Sequence, residues 1–577
     1  MKGTLYVVIN KKKLNINFKH QIDLFTLNEF VLTDIEKLKC NHFFPDPKKT
    51  SVQSEELILK TQKIKTEIIN KLEKMYIFKN IKDLDELVDP LLEIKLSRLF
   101  YLDKVLPDYK KYILINAGRN YNYFSKTKLI LAIDKIYCDN KNKKNDFLKR
   151  FYKFKFNLYD LFLLKIQKIL IKKIIKDNKR KILFFSDRGA YFIENLKNKL
   201  RKKEDIILYY LPTDSYIRIF LLIINQLFGF LFKNNLKEIG IFLLPYNKFE
   251  YSDLKLKENI NEFYIQEIPI EYSKYLIKQL YSYILNTTSF TNYLINLFEG
   301  SKIKNSFFHS VRFPDLFSFS RVLSKYNNDV RLISHGTHTI QKKDNLSFIA
   351  SKSLAIGLTY TKEKKIKLLS QSSYCDDFLD MLKVKYWKIN RITQPIIYKG
   401  LSQDRTPNKK SKFKILFVGT IKQLGERRYY FESSSEFFAS INNIYNKLKK
   451  YKSLYQIKIR IRNVQNEISN DILCNFIKNK KDFLTISNKE SIYDEIEKCD
   501  CLISFSSTTL EEGLFMNKPV MCYGLPKYNH LSQYESYEPE NICKLNSYNK
   551  LKIIESALER KFIHKKIKER KIDYFFT

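Results

Sequence analysis

Glycine and proline are scarce in this sequence, with 13 of each among 577 residues. Collagen-like, linker-type and disordered chains contain far more of these two residues, so those classes are excluded. Hydrophobic residues make up 44% of the chain and aromatic residues 15%. A chain of this length and composition is too large for one small core, so we expect at least two packed domains.

The eight cysteines include no CxxC pair. Zinc-ligand spacing is therefore absent, and reduced thiols of a cytosolic protein fit this pattern best. The Asp83-Leu84-Asp85 triplet has the spacing of a metal-binding DxD motif, but its surroundings are typical of a helix. We predict no metal site and no cofactor.

Long hydrophobic runs are also lacking. The longest, Phe220–Phe232, is shorter than the roughly 20 residues that span a bilayer, and it predicts a buried helix, with an interfacial helix as the alternative. The first ten residues, MKGTLYVVIN, contain no apolar leader or small-residue cleavage site. The expectation is a cytoplasmic protein without a transmembrane helix.

Acidic residues are few relative to basic ones, 62 against 104, which gives a formal net charge of +42. Such an excess can attract nucleic acids or anionic membranes, but the lysines are spread over nearly every segment, as on a solvated surface. No RNP motif or zinc finger is present, so no nucleic-acid partner is predicted. A non-enzymatic protein that binds nucleic acid or membrane is kept as an alternative.

Two stretches, Leu161–Lys176 and Glu559–Lys571, alternate apolar and basic residues. Basic amphipathic helices bind anionic bilayer surfaces, so these stretches predict peripheral contact with the inner face of the cell membrane. For the first stretch, an ordinary packed helix with solvated lysines is an equal alternative.

Short apolar runs alternate with amphipathic helices along the chain, and this pattern predicts parallel sheets with crossover helices. The fold class is therefore α/β, with an N-terminal domain with helical insertions (1–350), a connection (351–412), a C-terminal Rossmann-like domain (413–540) and a basic helical tail (541–577). Strands are predicted at Leu5–Ile9, Ile113–Ile115, Ile182–Ser186, Ile206–Tyr210, Ile241–Leu244, Ser306–His309, Arg331–Ser334, Lys414–Gly419, Gln456–Ile461, Phe483–Ile486, Cys501–Phe505 and Pro519–Tyr523.

The segment Asp500–Gly524 is the most informative part of the sequence. An apolar strand ends in a hydroxyl cluster at the start of a helix, where N–H groups and the helix dipole favour phosphate. An acid one turn further along could accept hydrogen bonds from both hydroxyls of a ribose. Plain N-capping with a capping-box acid is the alternative. The candidate residues are Ser506, Ser507, Thr508, Thr509, Glu511 and Glu512.

This segment resembles the donor-nucleotide site of GT-B glycosyltransferases, in which a strand, an S-[ST]-T-x-x-E helix start and a K-P-V strand follow each other. By spacing from Lys518-Pro519-Val520, Glu512 matches the ribose-binding acid of that family, and Glu511 is the second choice. The resemblance covers roughly residues 300–540. It implies two Rossmann-like domains facing a cleft, with the nucleotide donor on the second domain and the acceptor on the first.

A second segment, Phe307–Thr339, reads as strand, helix, strand and a His-Gly-Thr turn. It resembles the end of the N-terminal domain in surface-polysaccharide transferases, and the turn is similar to that of CDP-glycerol polyol-phosphate transferases. An imidazole here could take a proton from an acceptor hydroxyl or stabilise the leaving diphosphate. His335 is the predicted catalytic residue, and the predicted substrate contacts are Gly336, Thr337 and His338.

Further candidates lie where strands are predicted to end. The turn with Gly419, Thr420 and Lys422 has the position of the donor-phosphate loop of that family. Arg460 and Arg462 alternate on one strand and could reach phosphate from its end. Asp187 follows a strand of the N-terminal domain and could be an acceptor-side base, although an ordinary capping role is the alternative.

The resemblance implies a glycosyltransferase that moves a sugar from a nucleotide-activated donor to a surface polysaccharide or a lipid-linked glycan precursor, by an inverting, metal-independent displacement. The nucleotide-activated donor would be a substrate and not a cofactor. Polyol-phosphate transfer from a CDP-linked donor is the close alternative. A nucleotide-sugar epimerase is a third, and it would need acids near His335 that the sequence does not identify. The oligomeric state is left open.

Overall fold

The fold is described from a computed structural model of the chain. The structure describes residues 2–9, 20–26, 40–45, 54–75, 81–116, 119–139, 165–175, 182–186, 206–210, 224, 238–241, 263–301, 303–326, 329–334, 346–370, 373–383, 389–391, 412–419, 434–449, 452–453, 455–461, 470–487, 491–504, 509, 512–513, 516, 518, 520–523 and 542–545.

The first sheet has the strand order β3-β2-β1-β4-β5, in which only β5 runs antiparallel to its neighbour. Its helices are α1 (Ser54–Lys74), α2 (Leu84–Val105) and α3 (Lys126–Asp139). Ile64, Ile68 and Leu72 lie on one face of α1, and all three are fully buried in the hydrophobic core of this sheet, the first core. The strands are β1 Lys2–Val8, β2 Ile22–Thr26, β3 Cys40–Phe43, β4 Tyr109–Asn116 and β5 Arg119–Tyr123.

The second sheet has seven parallel strands in the order β12-β11-β10-β9-β6-β7-β8. The run ILFF at 182–185 and the run IILYY at 206–210 are apolar and buried on every residue, as expected for parallel strands covered by helices on both faces. Counted from β6, the order is 3-2-1-4 onward, which is the Rossmann arrangement. The strands are β6 Ile182–Phe185, β7 Ile206–Tyr210, β8 Glu238–Ile241, β9 Asn305–Phe308, β10 Asp329–Ile333, β11 Lys367–Ser370 and β12 Ile389–Arg391.

One long helix joins the cores of the first two sheets. Helix α5 (Ile270–Phe298) contributes Tyr272 and Leu276 to the first core, and Leu294 and Phe298 to the core of the second sheet. The first and second sheets are therefore parts of one packed structure. The helices that accompany the second sheet are α4 (165–175), α5 Ile270–Phe298, α6 Pro314–Lys325, α7 Leu346–Ala355 and α8 Ser373–Met381.

Ion pairs reinforce this junction. Arg321 on α6 pairs with Asp83 at 3.2 Å and with the buried Glu86 at 2.9 Å. Lys362 pairs with Asp85. The two carboxylates of the DxD-like triplet are therefore paired with the side chains of Arg321 and Lys362. The triplet lies at the start of α2, in agreement with the helix that its surroundings predicted. Buried charges remain in proteins only where they are paired in this way, because an isolated ion loses its hydration.

The third sheet has six parallel strands in the order β15-β14-β13-β16-β17-β18. Counted from β13, this order is 3-2-1-4-5-6, again that of the Rossmann fold. Its helices are α9 (Ser434–Leu448), α10 (Asn470–Ile477) and α11 (Ile492–Lys498). The strands are β13 Phe413–Gly419, β14 Tyr455–Ile461, β15 Leu484–Ile486, β16 Cys501–Ser504, β17 Val520–Tyr523 and β18 Ile542–Leu545.

The predicted α/β class with two Rossmann-like units is confirmed by the second and third sheets. The region 1–350 also contains the first sheet, which the sequence did not separate from the second. Strands β11 and β12 lie within 351–412, the predicted connection, and extend the second sheet. The domain boundaries and the cleft between the two units stay predictions.

Two sequence predictions concern membranes. The first basic stretch, Leu161–Lys176, contains helix α4, and its residues Ile171, Ile174 and Ile175 are buried in the second core. This helix is therefore packed in the interior, which was the alternative to membrane contact. In the described part of the chain, no helix combines the length and apolar character needed to cross a bilayer. The basic stretch 559–571 lies outside the described residues. The apolar run 220–232 also lies outside them, except for residue 224.

Candidate functional site

The carboxyl edge of the third sheet is the first candidate site. All six strands are parallel, so their carboxyl ends meet at one edge, and the order reverses between β13 and β16. Ligands of open α/β sheets bind beyond such a switch point. Val418 pairs with Ser504 across it, and the Ser504 hydroxyl donates to the Val418 carbonyl at 2.7 Å. Of the predicted site residues, Gly419 is the last residue of β13, and Thr509 and Glu512 follow β16 in the sequence.

Glu512 is the predicted ribose-binding acid, and it is buried with 8% of its surface exposed. Burial raises the pKa of its carboxyl from 4.5 to about 7, and the positive charge of Arg460 opposes this rise. Glu512 and Arg460, both predicted for the site, therefore lie within electrostatic reach of each other. Thr509 is also buried and lies three residues earlier, the spacing of one helical face. The Glu512 carboxyl makes no hydrogen bond to a described residue.

Arg460 has a second carboxylate partner that the sequence did not reveal. Its Nη1 lies 2.5 Å from Oε2 of Glu495 on α11, and Lys458 Nζ lies 3.1 Å from the other oxygen. The Glu495 side chain is fully buried, and Ser487 also donates to it. Arg460 is thus fixed at the end of β14. A guanidinium has five N–H donors, so the contact with Glu495 is compatible with phosphate binding. That role of Arg460 stays a prediction.

Gly419 ends β13 at a close approach to α9. A Cβ on this residue would lie 2.5 Å from Cε2 of Phe437, which is fully buried and packs edge-on against Phe417. Packing against Phe437 therefore requires glycine at position 419, whether or not Gly419 also takes part in phosphate binding.

Lys518 of the predicted K-P-V strand start has a structural role. Its ammonium donates to the carbonyls of Glu497 and Cys499, at 2.9 and 2.8 Å, where α11 ends. Its backbone N–H donates to the Gly513 carbonyl at 2.9 Å. This lysine ties the turn after Glu512 to the end of α11, where unpaired carbonyls attract a cation.

The carboxyl edge of the second sheet is the other candidate site. Its switch point lies between β6 and β9, and Ser186 and His309 are the residues directly after these strands. Ser186 Oγ lies 2.8 Å from His309 Nδ1 and accepts the His309 backbone N–H at 3.1 Å. The sequence placed His309 at the last position of a predicted strand and did not mark it as a site residue; β9 ends one residue earlier, at Phe308.

Several predicted site residues lie outside the described part of the chain. In the second sheet's unit, Asp187 directly follows Ser186 in the sequence and His335 directly follows Ser334. The roles of all these residues stay predictions. They are Asp187, His335, Gly336, Thr337, His338, Thr420, Lys422, Arg462, Ser506, Ser507, Thr508 and Glu511.

Among the described residues, no group of three or more His, Cys, Asp or Glu side chains could hold a metal ion. The two edges offer other chemistry. The third sheet presents a buried carboxyl beside an arginine, suited to hydroxyl and phosphate groups, and the second presents an imidazole held by a hydroxyl.

No protein-family model matches the chain, and no curated protein matches it. Solved structures do align with it. The UDP-GlcNAc 2-epimerase of Neisseria meningitidis, bound to UDP-GlcNAc, is 13% identical over 67% of this chain and 95% of its own, with a TM-score of 0.37. MnaA of S. aureus with UDP is 11% identical over 68% and 92%, with a TM-score of 0.38. The wall teichoic acid polymerase TagF is 13% identical over 72% and 90%, with a TM-score of 0.33. At these identities and TM-scores, the likenesses carry no function to this chain.

Proposed function

We propose that this protein is a GT-B-type glycosyltransferase that moves a sugar from a nucleotide-activated donor to a surface polysaccharide or its lipid-linked precursor. The donor nucleotide binds at the carboxyl edge of the third sheet, and the acceptor at that of the second. The observation that carries the proposal is the buried carboxyl of Glu512 beyond the third sheet's switch point.

A carboxyl in this environment is costly to the fold. Buried polar groups are usually hydrogen-bonded, yet the Glu512 carboxyl has no such bond to a described residue and its pKa is raised to about 7. A ribose diol offers two O–H donors that would satisfy a carboxylate. Ligand binding therefore accounts for a buried acid that packing alone does not require.

The rest of this edge suits a diphosphate. Arg460 supplies positive charge near Glu512, and Thr509 lies on the same helical face. Further donors are proposed outside the described residues, and they replace a divalent metal as the source of phosphate stabilisation. They are the side chains of Thr420, Lys422, Arg462, Ser506, Ser507 and Thr508.

The proposed reaction is a direct displacement. An acceptor hydroxyl oxygen forms a bond to the anomeric carbon while the bond from that carbon to the donor phosphate breaks, and the electron pair leaves with the nucleoside diphosphate. His335 is proposed as base or phosphate stabiliser, and Asp187 as an alternative base. The enzyme is proposed to be cytoplasmic, with its basic stretch 559–571 in contact with the inner membrane surface near a lipid-linked acceptor.

The test is nucleotide binding by the purified full-length chain. UDP, CMP, CDP, GDP and TDP are screened by thermal shift, and the preferred one is titrated by calorimetry. A ligand at 100 times its dissociation constant should add about 2.7 kcal/mol of stability. Binding should persist in EDTA. Preference for CDP would point to the polyol-phosphate alternative, and release of a free sugar would point to an epimerase.

Substitutions identify the site. Glu512→Gln should weaken the preferred nucleotide by about 10- to 150-fold, which corresponds to roughly 1.5–3 kcal/mol for a hydrogen-bonded charge. Asp482→Asn is the matched control, because that exposed carboxylate precedes β15 at the opposite edge of the same sheet. Absence of binding by every nucleotide would contradict the proposed function, and unchanged affinity in Glu512→Gln would remove this residue from the site.

A further inference from the structure

The switch point of the second sheet holds a side-chain cluster that the proposed function has not used. Four elements contribute to it: Tyr210 ends β7, Ser186 follows β6, His309 follows β9, and Asp315 lies in the first turn of α6. Strands β7, β6 and β9 are neighbours in the sheet. The cluster therefore sits where ligands of parallel α/β sheets bind.

Ser186 holds the ring of His309 in place. Its oxygen accepts the His309 backbone N–H at 3.1 Å and lies 2.8 Å from Nδ1 of the same residue. A serine oxygen has two lone pairs, so it can accept the backbone N–H and a protonated Nδ1 together. In that tautomer, Nε2 carries the lone pair and can accept a proton. The Ser186 backbone N–H donates to Phe307 at 2.9 Å, which fixes the serine itself.

Asp315 lies within electrostatic reach of His309. Its carboxyl accepts the Leu316 backbone N–H at 2.9 Å and is hydrogen-bonded by Tyr210. Burial raises the pKa of this carboxyl, and the hydrogen bonds from Tyr210 and the backbone, followed by the electrostatic interaction with His309, offset that rise only in part. That interaction is mutual, so a negative Asp315 favours the imidazolium of His309. Positioned imidazoles beside a carboxylate are effective proton acceptors in catalysis.

His309 is also accessible. It is half-buried, whereas Phe307 and Phe308 just before it in β9 are fully buried. A histidine that only closed the end of a strand would not need a hydroxyl against its ring and a carboxylate within electrostatic reach.

We propose that His309 is the general base of the transfer, taking the proton of the acceptor hydroxyl on Nε2, with Ser186 and Asp315 as its positioning residues. The assignment rests on the function proposed above. As the acceptor oxygen bonds to the anomeric carbon, its proton moves to His309 and the electron pair of the breaking bond leaves with the diphosphate. His335 is then left with the second of its two proposed roles, stabilisation of that diphosphate.

The test compares variants of the full-length enzyme with the donor found by the nucleotide screen. His309→Asn keeps an amide near the position of Nδ1 and so keeps the contact with Ser186, but it cannot take the proton. We expect turnover to fall by about 10²- to 10⁴-fold in both His309→Asn and His309→Ala. Ser186→Ala should lose up to about 10²-fold by misplacing the ring, and added imidazole should partly restore His309→Ala.

His42 provides a matched control, because its Nε2 lies 2.6 Å from the Thr26 hydroxyl in the first sheet. His42→Gln should keep normal turnover. Nucleotide affinity and melting temperature show whether each variant is folded, because the nucleotide site is on a different sheet.

Near-normal turnover of a folded His309→Asn, in an enzyme whose wild type transfers, would overturn this assignment alone. It would leave His309 with a structural role. A wild-type chain that binds no nucleotide and transfers nothing would overturn the proposed function, and this assignment with it.

Discussion

Replacing Glu512 with glutamine should stabilise the protein at alkaline pH, although the same change should weaken nucleotide binding. The pKa of this carboxyl is about 7 in the folded protein against an ordinary value of 4.5. Because the folded pKa is higher, the folded state binds more protons than the unfolded state between these two values. Stability therefore falls as the pH rises through this range, and little further above it.

The size of the effect follows from the same two values. A difference of about 2.5 pKa units corresponds to about 3 kcal/mol at about pH 8, and to less than about 1 kcal/mol at about pH 5. Glutamine resembles the protonated acid at every pH. The gain in the free energy of unfolding of Glu512→Gln over wild type should therefore grow from below about 1 to about 3 kcal/mol between these conditions.

Native-state hydrogen exchange of the amides of β13 and β16 is the suitable assay, because it reports the stability of the third sheet. Glu495→Gln is the contrasting variant. That buried carboxylate is paired with Lys458 and Arg460, so its removal should destabilise the sheet, by about 1–3 kcal/mol because both cations retain some contact with water. A destabilised Glu512→Gln, or a gain independent of pH, would refute the reasoning.

Three further predictions concern the ionisation of Glu512 during nucleotide binding, the packing at Gly419 and the role of His335. The apparent nucleotide affinity, measured by calorimetry, should rise about tenfold between about pH 6 and pH 8 as Glu512 ionises. The affinity of Glu512→Gln should not depend on pH in this range. A wild-type affinity that does not change with pH would contradict a carboxylate ligand. Gly419→Ala should lower stability by about 1–3 kcal/mol, because its Cβ would overlap the Phe437 ring, and an unchanged melting temperature would contradict that packing. His335→Ala should reduce turnover by about 10²- to 10⁴-fold with donor affinity nearly unchanged, whereas His338→Ala should not; equal effects would leave His335 a turn residue.

Apolar runs were sufficient to predict most strands of the second and third sheets, but β11 was missed, β18 lies at the start of the predicted helical tail, and β8 begins three residues before its predicted position. The run ILFF of β6 is buried on every residue, and this pattern is typical of a parallel strand covered on both faces. The short strand β3, with sequence CNHF, was not predicted, because none of its four residues is fully buried. Its place depends on pairing with β2, which sequence periodicity does not contain.

The candidate site divides in the same way. Parallel strands bring their carboxyl ends to one edge, so the strand predictions were enough to place Gly419, Arg460 and Glu512 on the same unit. The partners of these residues could not be predicted, because they depend on packing between elements. Glu495 is fixed beneath Arg460 by the docking of α11, and Ser186 meets His309 across 123 residues of chain.

At the switch point of each Rossmann-like sheet, a serine side chain forms a hydrogen bond with the backbone of the neighbouring strand or of the residue that follows it. In the third sheet, Ser504 at the end of the fourth strand donates its hydroxyl hydrogen to the backbone of the first strand, at Val418. In the second sheet, Ser186 after the first strand accepts the backbone N–H of His309 after the fourth. Each serine fixes the spacing of the two strands between which the order reverses. Because catalysis depends on reacting groups being held in place before the substrate arrives, a fixed spacing at both edges would favour the transfer proposed above. Loss of the Ser504 hydroxyl should therefore affect donor binding, and loss of the Ser186 hydroxyl should affect turnover.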